Sequence, residues 1–353
     1  GFVPYWEMDG DIVAHVARTP LTTLVLFSVT NTASGAIRRS ASGYRKIMSD
    51  VGRSLIRTGQ DHGMAVQLSF TSFGTARNRR LFTEPDTQAT VVKSLVALAD
   101  ELGVDGVNVD VEGLGPTLVP AYGLFVGALR DALRVGGGER QVSVATTANL
   151  LGATMAAAAV DAGADRVFMM AYDYRTAGSE PGATSPLARR DGGAHDLPTS
   201  IDLYQAFGVP VEATILGLPL YGYAWPVPPP TTGIPLLDLP AAGRGSAWIP
   251  RRHLDVLTDP TIEPVTDEIE RSDVYLLGPG GGPAPSGSPD PGEPWQVVYL
   301  DSPATLAVKI ELAQRHGFAG VGFWAIGYER GLPGYTDLMR RFTSGQSLAP
   351  AGQ

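Results

Sequence analysis

The chain has 353 residues, of which 44% are apolar and 18% charged, enough for one large α/β domain or two smaller ones and too apolar for general disorder. Its 36 acidic residues outnumber 27 Lys and Arg for a net charge of −9, and no basic run stands out, so neither nucleic acid nor an anionic membrane surface is expected as a partner. Without cysteine, and with five scattered histidines that form no HExxH-type pair, the chain excludes disulfides and a cysteine nucleophile and gives no basis for a metal centre.

In chain order, apolar and β-branched runs predict eight strands at 2–5, 23–30, 65–70, 106–112, 141–147, 166–172, 212–219 and 320–325. The chain opens on the first of them, so any signal peptide is expected to have been removed. Helical patterns fill most gaps. The clearest covers 87–102, where Val91, Leu95, Leu98 and Leu102 recur at helical spacing, Asp86 can cap the start and Gly103 suits the end. A similar pattern covers 303–316 and is followed by Gly317. Eight strands alternating with helices predict a (β/α)₈ barrel. The rival open, doubly wound sheet lacks an early GxGxxG.

The rhythm breaks between Tyr221 and Gly320. Segments at 248–257, 273–277 and 296–300 read as a helix and strands, whereas 226–235 and 278–294 are rich in Pro and Gly. The expected layout is therefore a barrel over 1–221 and 300–343, a small α+β insertion between the seventh and eighth strands over 222–299 with a flexible stretch at 278–294, and a flexible tail over 344–353.

The fourth strand reads DGVNVDVE over 105–112. Val107, Val109 and Val111 share one face, and Asn108, Asp110 and Glu112 share the other. On an antiparallel surface sheet the polar face would meet water. In a parallel barrel both faces are covered, and strands should be near-continuously apolar. The predicted strand interiors offer these acids no Lys or Arg except Arg166, at the start of one strand. With the valines toward the helices, the polar trio points into the barrel and rises to Glu112 at the carboxyl-terminal mouth, where barrel active sites lie. Two neighbouring carboxyls raise one another's pKa. A protonated Glu112 over an ionised Asp110 would be a general acid with electrostatic support, the chemistry that protonates a glycosidic oxygen.

These residues resemble the DxxDxDxE signature of glycoside hydrolase family 18, the chitinase-like hydrolases. MMAYDY (169–174) resembles the family's M-x-Y-D element on the sixth strand, GLPLYGYAW (217–225) its G-x-P-x-Y-G on the seventh, and GVGFWAIGYE (320–329) its eighth strand with a Trp. The resemblance implies retaining hydrolysis of β-1,4 bonds beside an N-acetylated sugar, whose own acetamido oxygen attacks the anomeric carbon. It implies that Glu112 is the acid and then the base, and that Asp110 orients the acetamido group and stabilises its developing charge. Tyr172 would bond the acetamido carbonyl and Asp173 the sugar, Met170 would line the pocket, and Trp324 would lie under the ring. Taken singly, Tyr172 and Met170 read equally well as core residues, Trp324 more often than not as one, and Asp173 as a loop cap.

Two departures matter. Asn108 stands where many members carry a second Asp; it can still hydrogen-bond Asp110 but cannot share a proton with it. The third strand reads LSFTS (68–72) where many chitinases have S-x-G-G. Both features are similar to bacterial branches that include cell-wall and spore-cortex hydrolases, so a peptidoglycan strand is as eligible a substrate as chitin. No cofactor and no metal are implied. A monomer acting outside the membrane is expected, since polymeric glycans lie there. The rivals are a barrel of the same family that binds glycan without cleaving it, and a metal-assisted barrel using the acids as Mg²⁺ ligands.

Overall fold

The computed structural model describes residues 1–135, 137–229, 234–278 and 295–348. Most of the stretch predicted to be flexible at 278–294, and the last five residues of the tail predicted from 344, lie outside the described residues. Among the described residues there are thirteen strands: β1 Phe2–Pro4, β2 Thr23–Val29, β3 Ala65–Phe73, β4 Gly106–Glu112, β5 Gln141–Thr147, β6 Arg166–Met170, β7 Thr214–Pro219, β8 Gly222–Val227, β9 Ser246–Trp248, β10 Val265–Asp267, β11 Ser272–Leu277, β12 Trp295–Leu300 and β13 Gly320–Trp324. The chain divides into two compact units, one of 1–170, 201–217 and 313–327, the other of 171–200, 218–312 and 328–353.

In the first unit, eight strands close a barrel in the order β1-β13-β7-β6-β5-β4-β3-β2, with parallel pairing. These are the eight strands that the sequence predicts, and the barrel is the predicted one. Helices follow the strands. The helix Pro85–Leu102 starts two residues before the predicted 87, because Pro85 takes its first turn and Glu84, not Asp86, is the cap residue. Gly103 closes it in the left-handed conformation at φ 68°. The strand faces toward the helices are apolar: Phe70 of β3 lies 6.0 Å, ring to ring, from Phe125 of the helix Val119–Leu133.

At the barrel floor, Phe168 of β6 meets Phe2 at 4.7 Å between ring centroids. The floor is glycine-dependent. A Cβ on Gly217 would come within 2.5 Å of the Phe168 ring, and one on Gly322 within 2.7 Å. The small residues of β7 and β13 therefore make room for one large ring.

In the second unit, β10-β11-β12-β8-β9 form an antiparallel sheet within the chain that separates β7 from β13. Both of its faces are buried. Trp225, Val274, Val297 and Tyr299 gather on one, and Ala224, Trp248, Tyr275 and Val298 on the other. Alternation alone does not reveal β8, since neither of its faces is polar. The segment after β6 is fastened to this sheet's chain by Arg190, which donates two hydrogen bonds to Asp267 at 2.9 and 2.7 Å, and by Glu270, which accepts the Ala183 and Arg190 amides.

Candidate active site

The polar side of β4 faces the barrel interior. Asn108 Oδ1 accepts from Ser69 Oγ at 3.3 Å, and Asn108 Nδ2 donates to Ser143 Oγ at 2.9 Å. Ser143 in turn donates to Gln67 Oε1 at 2.6 Å. These partners sit on β3 and β5, the strands on either side. Asn108 is 1% exposed and both of its amide atoms are engaged.

Two residues on, Asp110 is 4% exposed, and its Oδ1 has no hydrogen-bond partner among the described residues. The reason is local. Its register neighbours are Thr71 and Ala145. Thr71 is taken up by the Val29 carbonyl at 3.2 Å and by Ser28 Oγ at 3.1 Å, and Ala145 has nothing to offer. Burial first, and then the Glu112 charge, hold the Asp110 carboxyl well above its ordinary pKa. Asp110 loses more hydration than its half-buried neighbour Glu112 at the strand end.

Glu112 ends β4. Its carbonyl accepts from the Gly74 amide at 3.0 Å and from Asn78 Nδ2 at 2.7 Å. Asn78 is fully buried and accepts from Ser72 Oγ at 2.7 Å. The chain leaves β3 through Gly74 at φ 93° and β4 through Gly113 at φ 71°, conformations that glycine adopts without strain. The end of β4 is therefore pinned to the end of β3, where Phe73 is the register partner of Glu112. Sequence reasoning missed Asn78, because nothing local in TARNRR distinguishes it.

Met170 ends β6, half-buried and two residues above the floor ring Phe168. Trp324 ends β13, half-buried, with its ring 4.7 Å from Phe27 and 6.1 Å from Trp6, both edge-on. Trp6 and Phe73 are 42% and 44% exposed, high values for large rings at barrel strand ends. The sequence contained both as strand-end aromatics without distinguishing them from others.

Tyr172 and Asp173 follow β6 directly and belong to the second unit. Here β6 is shorter than predicted. Ser185 Oγ donates to the Ala171 carbonyl at 2.6 Å, and Asp173 takes φ 61°, which turns the chain out of the strand. Tyr172 meets Tyr221 edge-on at 6.1 Å. Asp173 is exposed, and its Oδ1 accepts from Tyr221 at 2.5 Å and from Tyr223 at 3.1 Å. Its amide donates to Thr184 Oγ1 at 3.0 Å. Burial holds the Tyr221 hydroxyl well above its ordinary pKa, so it remains a donor.

A closed parallel barrel with two carboxyls in succession on the inner face of its fourth strand defines a chitinase-like glycosidase frame. The chain belongs to glycosyl hydrolases family 18, whose family model matches residues 41–329. Among curated proteins it is similar to YdhD of Bacillus subtilis, named as a candidate sporulation-specific glycosylase, at 30% identity over 166 residues. That match covers 46% of this chain and 37% of YdhD, so it spans little more than a third of that relative. It is also similar to Nod factor hydrolase protein 1 of Medicago truncatula, at 26% identity over 72% of this chain and 67% of that protein. Among solved structures it shares its fold with the Cycas revoluta family 18 chitinase in complex with (GlcNAc)₃, with TM-score 0.78, 19% identity and coverage of 97% of this chain and 98% of that one. The spore cortex-lytic enzyme SleL of Bacillus megaterium has the same fold, with TM-score 0.73, 17% identity and coverage of 97% and 73%. No described helix is long and apolar enough to cross a membrane.

Proposed function

We propose that the chain is a retaining glycoside hydrolase that cleaves β-1,4 bonds in N-acetylglucosamine-containing glycans with the help of the substrate's own acetamido group. The observation that carries this reading is Asp110: a buried carboxyl with one bare oxygen, two residues below Glu112 on the inner face of β4. Folding does not reward such a group, because an unpaired buried carboxyl costs several kcal/mol. An acetamido N–H would supply the missing partner.

In the proposed reaction the acetamido carbonyl oxygen bonds to the anomeric carbon as the glycosidic C–O bond breaks. The leaving oxygen takes the Glu112 proton. A water molecule then attacks the same carbon from the side the leaving group vacated, gives its proton to Glu112, and regenerates the N-acetyl group with retention. Tyr172 bonds the acetamido carbonyl, Asp173 accepts from a sugar hydroxyl, Trp324 underlies the ring and Met170 fills beside it. Asn108 supports the strand beneath Asp110. We take 222–299 as the inserted segment and the remainder as the catalytic frame, and we place the enzyme outside the membrane, where such polymers are found.

Incubation with chitooligosaccharides and peptidoglycan oligomers, read by mass spectrometry, tests this. The wild type should release products, and Glu112→Gln should lower turnover by about 10²–10⁴-fold while still binding the glycan. A wild type that binds these glycans and releases nothing would make the chain a binding barrel instead.

A further inference from the structure

Charge in this protein is unevenly placed. The chain carries −9 overall, yet residues 30–82 contain nine Lys and Arg against two acids, Asp50 and Asp61. Within it, Arg38, Arg39, Arg77 and Arg79 follow the carboxyl-terminal ends of β2 and β3, whereas Arg53 and Arg57 lie on the helix Asp50–Asp61 that leads back to the start of β3. Thr30 is the first residue beyond β2, and two loops meet on it: the Arg38 amide donates to its carbonyl at 2.8 Å, and Arg77 Nη1 donates to its hydroxyl at 2.5 Å. Arg38 and Arg39 leave the small hairpin closed by the Asn31–Ile37 bridge. Arg77 and Arg79 lie on the helix Thr75–Thr83, which begins two residues after Phe73, the register partner of Glu112.

Arg38, Arg39, Arg77 and Arg79 have no carboxylate within 4.0 Å among the described residues, whereas Arg134 has Asp165 at 2.8 Å, Arg190 has Asp267 at 2.7 Å and Arg175 has Asp191 at 2.8 Å. Arg38, Arg39 and Arg79 are exposed. Four guanidinium groups without a carboxylate partner among the described residues, placed beside one strand-end cluster of an acidic protein, carry a local positive field there, and such a field attracts anions.

We infer that this rim is a binding surface for carboxylates borne on the glycan, so that N-acetylated glycans carrying acidic substituents, of the peptidoglycan type, are preferred over neutral chitin. This rests on the proposed hydrolase reading and narrows its substrate class. A neutral chitin chain would gain nothing from the arginines. A lactyl or peptide carboxylate on alternate sugars would meet guanidinium groups able to bind it with two parallel hydrogen bonds.

The test is calorimetric binding to full-length Glu112→Gln protein at low salt. The ligands are chitotetraose, a tetrasaccharide with lactyl carboxylates on alternate sugars, the same compound with its carboxyls amidated, and its peptide-extended form. The free acid should bind about tenfold tighter than the amide, and the preference should fade near 1 M salt, where screening acts over about 3 Å. The peptide-extended form shows which carboxylate is read. The preference should collapse in Arg38→Gln/Arg39→Gln/Arg79→Gln and persist in the charge-matched Arg18→Gln/Arg57→Gln/Arg166→Gln. Equal affinity for acid and amide overturns the inference, and so does a preference that survives in the first triple or vanishes equally in both. Failure of the hydrolase reading shows separately, as wild-type protein that cuts neither tetrasaccharide; the acid-to-amide ratio still decides the rim in that case.

Discussion

Tyr221 holds Asp173 by a 2.5 Å hydrogen bond to Oδ1, forty-eight residues away in the chain, and Tyr223 donates to the same oxygen at 3.1 Å. Both donors converge on one oxygen of an exposed carboxylate whose backbone sits at φ 61°. For a residue other than glycine that conformation costs about 1 kcal/mol or more. The arrangement fixes the direction of Oδ2. Tyr221→Phe/Tyr223→Phe should lower kcat/KM on a cleaved oligosaccharide by about tenfold, mostly through KM, since each lost bond to a charged group is worth ~1.5–3 kcal/mol before water replaces it. Steady-state kinetics with a melting curve as folding control checks this, and a kcat/KM within twofold of wild type would show that the clamp serves folding only.

Asn78 acts on Glu112 through the backbone. Its amide donates to the Glu112 carbonyl and accepts from Ser72 in a fully buried setting. Asn78→Ala leaves both groups without that partner, at a cost of about 1–3 kcal/mol. Turnover should drop by about tenfold with KM little changed, because a misplaced acid harms the transition state more than ground-state binding. Loss of stability with unchanged kcat would place Asn78 outside catalysis.

Asp110 makes stability depend on pH. Its native pKa lies above the ordinary 3.8, so between the two values the native state binds more protons than the unfolded one, and stability falls as pH rises through that window. Below 3.8 both states are protonated and the penalty is absent. Asp110→Asn mimics the protonated form. Its melting temperature should match wild type near the acid end and exceed it increasingly as pH climbs, by about 1–3 °C per kcal/mol in a chain this long. Parallel melting-temperature profiles across the pH range would contradict the assignment.

In the second unit, Lys309 and Asp301 form a short, fully buried ion pair, and Asp301 Oδ2 has no hydrogen-bond partner among the described residues. Burial pushes the Asp301 carboxyl up and the Lys309 ammonium down, so desolvation outweighs their attraction. Lys309→Met should destabilise by about 3–5 kcal/mol by leaving an uncompensated buried acid, and adding Asp301→Leu should recover most of the loss. Denaturant titrations of the two variants test this; a single variant no weaker than the double one would refute it.

Much of the architecture was legible in the residues. Apolar and β-branched runs marked all eight barrel strands, because a strand covered on both faces carries apolar side chains on each. Their ends were less legible. β3 runs on to Phe73 because β4 pairs with it that far, and β6 stops at Met170 because Ser185 and the turn at Asp173 draw the chain away. β8 was missed as a strand because Gly222 and the proline-rich run that begins at Pro226 interrupt its apolar pattern.

The candidate site divides along the same line. That Asn108, Asp110 and Glu112 share one face of a strand whose other face is valine can be read from eight consecutive letters, since the pleat is a local property. Which carboxyl loses more of its hydration, which tyrosines aim Asp173 and which amide anchors the end of β4 cannot. Those depend on hydration lost to neighbours and on donors that arrive from 34 to 50 residues away, and only the closed chain brings such groups within hydrogen-bond reach.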